Sequence, residues 1–196
     1  MSSHHVVRDE QEPAVIIASP PGNAFPQLSE MFEWSPVVIV LETALADFLQ
    51  WDTKLDILIG SQQNNLKYQD ELSYQQPYKF LESQPNPVEQ ALLYLAENKH
   101  NTAHIFTKTP DFKISQNTEL NNMEIVFFDG EMKIVQSKAK FFSKWVAQNT
   151  CFKIFNGKVR TFENINQQND LLIASQNGFI NIFGETEFWI GEKLKN

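Results

Sequence analysis

The sequence has little cysteine and no long apolar run. Cys151 is the one cysteine among 196 residues, which excludes an internal disulfide and fits a reducing compartment. No apolar run comes near the roughly 18 residues that a membrane span needs. The polar, acidic leader of residues 1–13 is not a signal peptide. We therefore expect a cytoplasmic protein without a membrane partner.

Basic charge is also scarce. The chain has 16 Lys and Arg residues against 24 Asp and Glu residues, a net charge of −8. The deficit lies in residues 1–135, which carry a net charge of −11, whereas residues 136–196 carry +3. Because nucleic-acid phosphates need a basic surface, the acidic first part excludes nucleic acid as a partner. The hydrophobic pattern changes at the same place, so we predict two domains, 14–135 and 136–196.

Recognisable catalytic motifs are missing as well. The turn at 19–23 lacks the glycine pattern of phosphate-binding loops, and the chain has no GxSxG or HExxH segment. His100 and His104 have the four-residue spacing of helical metal ligands, but the helix before them should end near Asn98. These residues alone assign no reaction.

The first part alternates between strand-like and helix-like patterns. An unbroken β-branched run at Val37–Leu41 predicts a buried strand, Glu42–Trp51 a short helix, and 55–60 a second strand. This is the βαβ pattern, whose strands are parallel and whose ligands gather beyond their carboxyl ends. The segments to examine are therefore Glu42–Ala44 and Ser61–Asn64.

Further segments extend the α/β pattern. Ala14–Ala18 and Ala103–Thr107 are predicted strands, and Phe25–Trp34 is a predicted helix. Asn86–Pro87 supplies the N-cap and first position of another helix, whereas the Gln- and Asn-rich stretch Asn64–Tyr78 is predicted to be a surface loop. The first part should thus form a mostly parallel sheet with helices on both faces.

The second part has the pattern of an all-β domain. Asp129–Gly130 lies between two β-rich runs and predicts a hairpin. Six short aromatic or β-branched runs follow, separated by Asn and Gly, and they predict a small antiparallel β-sandwich. These runs are Phe141–Trp145, Cys151–Phe155, Val159–Phe162, Leu171–Ala174, Phe179–Phe183 and Glu187–Ile190.

Several segments, taken in order, resemble the thiamine pyrophosphokinase family over nearly the whole chain. They are residues 1–18, VVIVLETA at 37–44, LDILIG at 55–60, VEQALLYL at 88–95, MEIVFFDGEMKIV at 123–135, FFSKW at 141–145 and NGKV at 156–159. The resemblance implies magnesium-dependent transfer of a pyrophosphoryl group from ATP to the thiamine hydroxyl. It also implies a homodimer that holds thiamine between the α/β domain of one subunit and the β domain of the other.

The family's acidic motifs are replaced in this sequence. The Asp-Gly-Gly of the family corresponds to Glu42–Ala44, and its Gly-Asp-Phe-Asp-Ser corresponds to Gly60–Asn64, where Ser61 and Gln63 stand in place of the two aspartates. Glu42 remains as a possible magnesium ligand, and Gln63 could orient a metal-bound water without supplying charge. The family positions Glu42, Ser61 and Gln63 are thus the candidate catalytic set, and it is depleted.

Other polar positions of the family are replaced too. Its Thr-Asp falls on Asn86–Pro87, its helix lysine on Gln90, and its Gly-Arg-Arg-x-Asp-His segment near Thr109–Ile114. On this register the family's aspartate and histidine become Lys113 and Ile114. The framework that folding requires is kept, whereas the groups that hold metal and phosphate are lost together.

One family motif near thiamine survives as Ser175–Gln176–Asn177. We therefore expect Ser175 and Asn177 to bind the aminopyrimidine edge of thiamine or a thiamine-like molecule, with aromatic cover from Trp145 or Trp189. Asn177 also precedes a glycine, so an ordinary turn between strands explains the segment equally well.

The sequence leaves three hypotheses open. The first is a thiamine pyrophosphokinase-like protein that has lost catalysis and is retained as a binding or scaffolding homologue. The second is an active enzyme that uses ATP and magnesium, with the metal held by Glu42 and by Asp111 or Asp56. The third is a dimeric interaction protein that binds no ligand.

Overall fold

The computed structural model describes residues 13–137 and 139–195, except for the side chain of Ser115. Its strands are β1 Ala14–Ile17, β2 Val38–Leu41, β3 Ile57–Gly60, β4 Lys79–Glu82, β5 Thr102–Phe106, β6 Glu124–Phe128, β7 Met132–Ser137, β8 Phe141–Val146, β9 Cys151–Asn156, β10 Val159–Glu163, β11 Ile165–Gln168, β12 Leu171–Ala174, β13 Gly178–Gly184 and β14 Phe188–Lys193. Its α-helices are α1 Phe25–Phe32, α2 Glu42–Phe48, α3 Gln62–Lys67, α4 Gln69–Ser73 and α5 Pro87–Glu97, and short 3₁₀ turns lie at Gly22–Ala24, Phe112–Gln116 and Thr118–Leu120.

The first half is a parallel sheet, as predicted. Strands β4, β3, β2, β1, β5 and β6 are neighbours in that order, and each pair is parallel. The predicted βαβ unit is β2–α2–β3, with Val40 beside Leu58. Alternate strand residues are buried under helices on the two faces. One face packs against α1 and α2 through Leu28 and Leu45, and the other against α5 through Leu92.

The Asn86 cap of α5 is confirmed. The Asn86 Oδ1 atom accepts a hydrogen bond from the Glu89 backbone N–H at 3.3 Å, and Pro87 fills the first helical position. The Glu89 carboxylate accepts hydrogen bonds from the side-chain amides of Asn86 at 3.2 Å and Asn117 at 2.8 Å. The helix ends at Glu97, and His104 lies in β5, so His100 and His104 do not share a helical face.

The loop predicted over Asn64–Tyr78 is wrong. Two short helices, α3 and α4, occupy most of this stretch. Ser61 caps α3, since its side chain accepts a hydrogen bond from the Asn64 backbone N–H, and Leu72 of α4 is buried against the sheet. The sequence pattern did not reveal these helices because most of their residues are polar, and Leu72 and Tyr68 supply most of their contact with the core.

The second half continues the same sheet in antiparallel form. The predicted β6–β7 hairpin is present, with Phe127 beside Ile134, and the Asp129 side chain accepts backbone hydrogen bonds from Glu131 and Met132. Beyond β7 the order is β14, β9, β12 and β11, which completes eleven strands. Strand β11 has no counterpart among the predicted runs.

Strands β10, β13 and β8 form a separate three-stranded antiparallel sheet. Its inner residues Ile180 and Ile182 share a core with Phe152 and Ile190 of the large sheet, so the two sheets form the predicted sandwich. The fold class is therefore α/β with an all-β second half. The predicted boundary between residues 135 and 136 falls inside β7 and stays a prediction.

None of the helices in the described part of the chain is long and apolar enough to span a bilayer.

The buried face of α2 should carry much of the stability of the parallel half. Leu45 is fully buried in the core beneath this helix, whereas Leu66 of α3 is 59% exposed. We expect Leu45→Ala to lower the free energy of unfolding by about 2–5 kcal/mol because it leaves a cavity. The matched variant Leu66→Ala should change it by less than about 0.5 kcal/mol. Denaturant unfolding of both variants measures the difference, and equal effects would contradict the packing described.

Candidate functional site

The carboxyl ends of the parallel strands bring several polar residues to one edge of the sheet. Glu42 and Thr43 follow β2, Ser61 follows β3, and Thr107 follows β5. Because parallel strands end at the same edge, side chains far apart in sequence become neighbours there. This edge, which we call the carboxyl edge, is the candidate site that the sequence predicted.

Glu42 and Ser61 meet directly at the carboxyl edge. One carboxylate oxygen of Glu42, Oε2, accepts hydrogen bonds from the Ser61 backbone N–H at 2.7 Å and from the Ser61 hydroxyl at 2.9 Å. The side-chain amide of Asn64 donates a third, also at 2.9 Å. These donors hold the ends of β2 and β3 together through one charged acceptor.

The same hydrogen bonds lower the pKa of Glu42. The backbone N–H of Ser61 has the largest effect, followed by the Asn64 amide, whereas partial burial of the carboxylate works in the opposite direction. Hydrogen bonds to the charged form favour that form. Glu42 is therefore an anion that neutral donors stabilise.

Gly60 permits this close approach. A Cβ atom at residue 60 would lie 2.9 Å from the Glu42 Cβ and 3.2 Å from its Oε2. A larger residue at this position would therefore push the Glu42 side chain away from Ser61.

The donor set at the carboxyl edge does not fit a magnesium site. Magnesium takes octahedral oxygen ligands and is held through carboxylates, but Oε2 of Glu42 is already shared among three donors. Among the described residues, no group of three or more His, Cys, Asp or Glu side chains is arranged to hold a metal ion. Glu42 has the geometry of a structural acceptor between two strands.

A small cleft of about 250 Å³ lies beside this arrangement. Its lining combines hydroxyl, amide and apolar side chains with one carboxylate: Ala18, Leu41, Thr43, Asn86, Pro87, Val88, Thr107, Thr109, Asp111 and Phe127. The Thr43 hydroxyl donates to the Ala18 carbonyl at 2.6 Å, and the Asp111 carboxylate accepts from the Lys113 backbone N–H at 2.9 Å. The cleft offers hydrogen bonds to a small polar ligand, and it presents little charge.

The other positions of the family motifs have structural roles. The Gln90 side chain donates to the Glu82 carbonyl and accepts from the Gln84 backbone N–H, both at 2.9 Å, so it ties α5 to the preceding loop. Ile114 is buried in the core. Gln63 is exposed on α3, and within residues 13–137 and 139–195 the side-chain oxygens of Glu42 accept hydrogen bonds from Ser61 and Asn64.

Asp56 cannot join Glu42 in one metal site. It precedes β3, whereas Ser61, the partner of Glu42, follows that strand, and the five residue steps between Asp56 and Ser61 span about 16 Å. The Asp56 carboxylate instead accepts a hydrogen bond from the Val38 backbone N–H at 2.8 Å, at the opposite edge of the sheet. Asp111 does lie at the carboxyl edge, in the threonine-lined cleft.

Sequence reasoning included Thr43 and Asn64 in the segments to examine, but it assigned no role to either and did not point to Thr107. The pattern Ser61-x-x-Asn64 has the spacing of a capped helix start, and this signal could have placed Asn64 on the first turn of α3. Thr43, Thr107 and Thr109 give no sequence signal, because threonine is common at strand ends.

The predicted thiamine-binding residues gather at one end of the sandwich. Trp145 in β8 pairs with Phe179 in β13, two residues after Asn177. The Ser175 hydroxyl donates to the Asn164 side chain at 2.6 Å, and the Asn177 side chain accepts from the Gln148 backbone N–H at 2.8 Å. Both side chains therefore already help to order this loop.

Trp189 is not available to cover a ligand. It is 2% exposed and packs against Phe112 and Phe127, with ring centroids 5.4 and 5.3 Å away. Its alternation along β14 places it on the α5 side of the large sheet, in the core. Trp145 is 59% exposed and remains the candidate.

The two candidate regions are far apart within one chain. Seven strand spacings separate β12, which leads into Ser175, from β2, which leads into Glu42. At about 4.8 Å for each spacing, this is roughly 30 Å. A single chain therefore cannot bring Ser175 and Glu42 to one small ligand.

Comparison with solved structures identifies the fold. Thiamine pyrophosphokinase from Bacillus subtilis superimposes with a TM-score of 0.62 at 12% identity, covering 94% of this chain and all of the other. The Candida albicans enzyme gives 0.61 at 10% identity, with 95% and 90% covered. The yeast enzyme gives 0.59 at 9% identity, with 97% and 88% covered.

No family model matches the sequence, and no curated protein matches it significantly. The chain thus has the thiamine pyrophosphokinase fold, and at these identities the likeness establishes the fold alone.

The lowered pKa of Glu42 predicts a pH-dependent contribution to stability. A carboxylate whose pKa is lowered by folding stabilises the protein above its ordinary pKa of about 4.5, and this contribution is lost as the pH falls through the lower folded value. We expect Glu42→Gln to be less stable than the wild type at pH 7, with a gap that narrows progressively below pH 4.5.

Urea unfolding between pH 3 and pH 7, roughly the range over which carboxylates titrate, measures this gap. Glu185→Gln is a suitable control because Glu185 is exposed in the turn before β14. A gap that does not depend on pH would show that the charge on Glu42 contributes nothing to stability.

Proposed function

We propose that this chain does not transfer pyrophosphoryl groups, because on its thiamine pyrophosphokinase fold the Glu42 carboxylate at the carboxyl edge is held by hydrogen bonds from the protein itself. It acts as a cytoplasmic binding or scaffolding homologue of that fold. The observation that carries the proposal is the set of three hydrogen bonds on Glu42 Oε2. Through these bonds Ser61 and Asn64 stabilise the negative charge of Glu42, which a metal ion would stabilise in an active site.

Electrostatics supports the loss of catalysis. Pyrophosphoryl transfer from ATP needs metal ions to neutralise the polyphosphate and to align the attacking hydroxyl. Removing one such interaction costs about 2.7–4 kcal/mol of transition-state stabilisation. The family's two aspartates are Ser61 and Gln63 here, so several interactions of this size are lost together. Glu42 alone cannot replace them.

A thiamine-like ligand fits the sandwich end better than the carboxyl edge. Trp145 exposes an indole on which a cationic or aromatic ring can stack. The loop that holds Ser175 and Asn177 lies beside it and is ordered by the Gln148 and Asn164 contacts. Within one chain this loop lies roughly 30 Å from the threonine-lined cleft. A site that uses both would therefore need a second copy of the chain.

A second candidate function, a dimeric interaction protein that binds no ligand, is favoured by the aromatic face. We use this name for the outer surface of the three-stranded sheet, where Phe141, Trp145, Phe179 and Phe183 project. Trp145 pairs with Phe179 and Phe141 with Phe183 across β8 and β13. Trp145 and Phe179 are 59% and 63% exposed, and the rings of Phe141 and Phe183 are 4.9 Å apart.

The aromatic face suits a contact between two copies of the chain. Four partly exposed aromatic side chains form an apolar patch of a few hundred Å², the size that marks interaction sites on monomers. Residues 136–196 carry a net charge of +3, whereas the rest carries −11. Copies that meet through the second half therefore keep their acidic halves apart. This dimer, in which the partner copy covers Trp145, belongs to the second candidate function.

The first test is an assay of the family reaction. Purified full-length chain with ATP, Mg²⁺ and thiamine should form no thiamine diphosphate, while thiamine pyrophosphokinase from Bacillus subtilis, assayed in parallel, serves as the positive control. Product formation by the wild type that Glu42→Ala abolishes would contradict the proposal. It would instead support an active enzyme with a rebuilt metal site.

Calorimetry with thiamine, thiamine diphosphate and ATP separates the two remaining functions. We expect thiamine to bind without magnesium, and Trp145→Ala to weaken that binding about 2- to 30-fold through loss of the cation–π contact. Tyr74→Ala is the control, because Tyr74 is 90% exposed in the other half of the chain. If none of the three compounds binds, the dimeric interaction protein is the better account.

The aromatic face gives the second test. Sedimentation velocity should find the wild type dimeric and the double variant Trp145→Glu/Phe179→Glu monomeric, since two buried carboxylates would oppose each other across the contact. Tyr74→Glu adds a charge at an exposed aromatic residue elsewhere and should leave the dimer intact. A monomeric wild type, or a double variant that still dimerises, would remove the aromatic face as the interface.

A further inference from the structure

The opposite edge of the parallel sheet carries a large groove. It lies where β2 and β3 begin and has a volume of about 900 Å³. We call it the Trp34 groove, and it is lined by residues 32–38, residues 52–54 and Asp56. Trp34 is 68% exposed and stands in a tight turn in which Ser35 has a positive φ of 53°. The indole therefore projects from the end of α1 into solvent.

One side of the groove has a negative potential. Glu33 and Asp52 are exposed carboxylates on its walls, Asp56 is a third, and Lys54 is the one cation among the lining residues. Helices α1 and α2 both end near this edge without a basic residue in the last turn. The partial negative charge of each helix C-terminus thus adds to the field of the carboxylates.

A second cavity, which Trp34 also lines, is apolar. A cavity of about 350 Å³ is lined by Pro13, Met31, Pro36 and His104 together with the indole. The His104 Nδ1 atom lies 3.2 Å from the Met31 sulfur, and burial together with the nearby Lys133 charge lowers the pKa of His104 to about 4. The imidazole is neutral at physiological pH, so the cavity accepts an apolar side chain without a competing charge.

A third cavity, of about 250 Å³, completes the surroundings of the indole. Glu30 and Lys133 both line it, so their charges offset each other. Gln27, Met31, Phe128 and Leu194 complete its lining together with the indole. The third cavity therefore adds little net charge to the surroundings of Trp34.

We propose that the Trp34 groove binds a basic, extended segment of a partner protein. A Lys or Arg side chain of the segment lies over the Trp34 indole and between the Glu33 and Asp52 carboxylates. An apolar side chain nearby in the segment enters the cavity beside His104. Charge complementarity selects this occupant, because the surrounding half of the chain carries −11 and repels acidic segments. The proposal is independent of catalysis and of the aromatic face.

The shape of the groove favours a polypeptide over an enclosed small molecule. Acidic, aromatic and apolar lining residues lie side by side around one indole. An extended chain, which advances about 3.3 Å per residue, can place different side chains against each of them. Tryptophan is enriched among the residues that contribute most to binding at protein interfaces, and a basic residue above the ring adds a cation–π contact.

Peptide binding to the full-length protein tests the proposal. The probe is the capped tetrapeptide Ac-Arg-Leu-Arg-Leu-NH₂, and its charge-reversed counterpart is Ac-Glu-Leu-Glu-Leu-NH₂. Titration followed by tryptophan fluorescence and by NMR shifts should find binding of the basic peptide alone, weakened by added salt. Trp34→Ala should weaken it about 2- to 30-fold.

The carboxylates need a charge-matched control. Glu33→Gln/Asp52→Asn should weaken the basic peptide about tenfold, whereas Glu119→Gln/Asp170→Asn removes the same charge from exposed positions elsewhere and should leave binding unchanged. The proposal is overturned if the wild type does not bind the basic peptide at millimolar concentration, or if the two double variants bind alike. Concentration-dependent self-association that Trp34→Ala abolishes would assign the groove to a second copy and overturn it too.

Discussion

The hydrogen bonds from Ser61 and Asn64 to one oxygen of Glu42 fix the character of the carboxyl edge. They join the ends of β2 and β3 across 2.7–2.9 Å, and they depend on a glycine at residue 60, where a Cβ atom would meet the Glu42 side chain. A carboxylate satisfied by neutral donors needs no cation for its own stability. The hydrogen bonds that stabilise the fold at this edge therefore also make the edge a weaker binding site for a divalent ion.

The continuity of the large sheet decides how a ligand site can be completed. Six parallel strands and five antiparallel ones share one hydrogen-bonded surface, so the two halves of the chain cannot close on each other as hinged domains would. Residues beside β2 and beside β12 stay roughly 30 Å apart. Only another molecule can bring a threonine-lined cleft to a Ser175–Asn177 loop. The aromatic face lies on the half of the chain that such a molecule would contact.

Sequence patterns predicted the elements whose burial is periodic. The run at Val37–Leu41, the Asn86 cap and the Asp129 hairpin each carry a local signal that folding preserves. The helices within Asn64–Tyr78 and strand β11 were not predicted, because they bury few side chains. The sequence of β11, INQQ, is mostly polar. For the site, sequence placed Glu42 and Ser61 at one edge but could not tell a ligand from a structural acceptor. That distinction depends on Asn64, which lies 22 residues from Glu42.

The carboxylates at the two edges of the parallel sheet differ in how far hydrogen bonds compensate their charge. At the carboxyl edge, one oxygen of Glu42 accepts three hydrogen bonds from neutral donors, and the exposed Asp111 accepts one from a backbone N–H. At the opposite edge, where β2 and β3 begin, Glu33 and Asp52 remain exposed beside Trp34. Helices α1 and α2 end there without a basic residue in the last turn. Carboxylates whose charge is not compensated by nearby donors attract a cationic partner more strongly than compensated ones do. The surface best suited to bind a cationic group therefore lies at the opposite end of the parallel strands from the carboxyl edge.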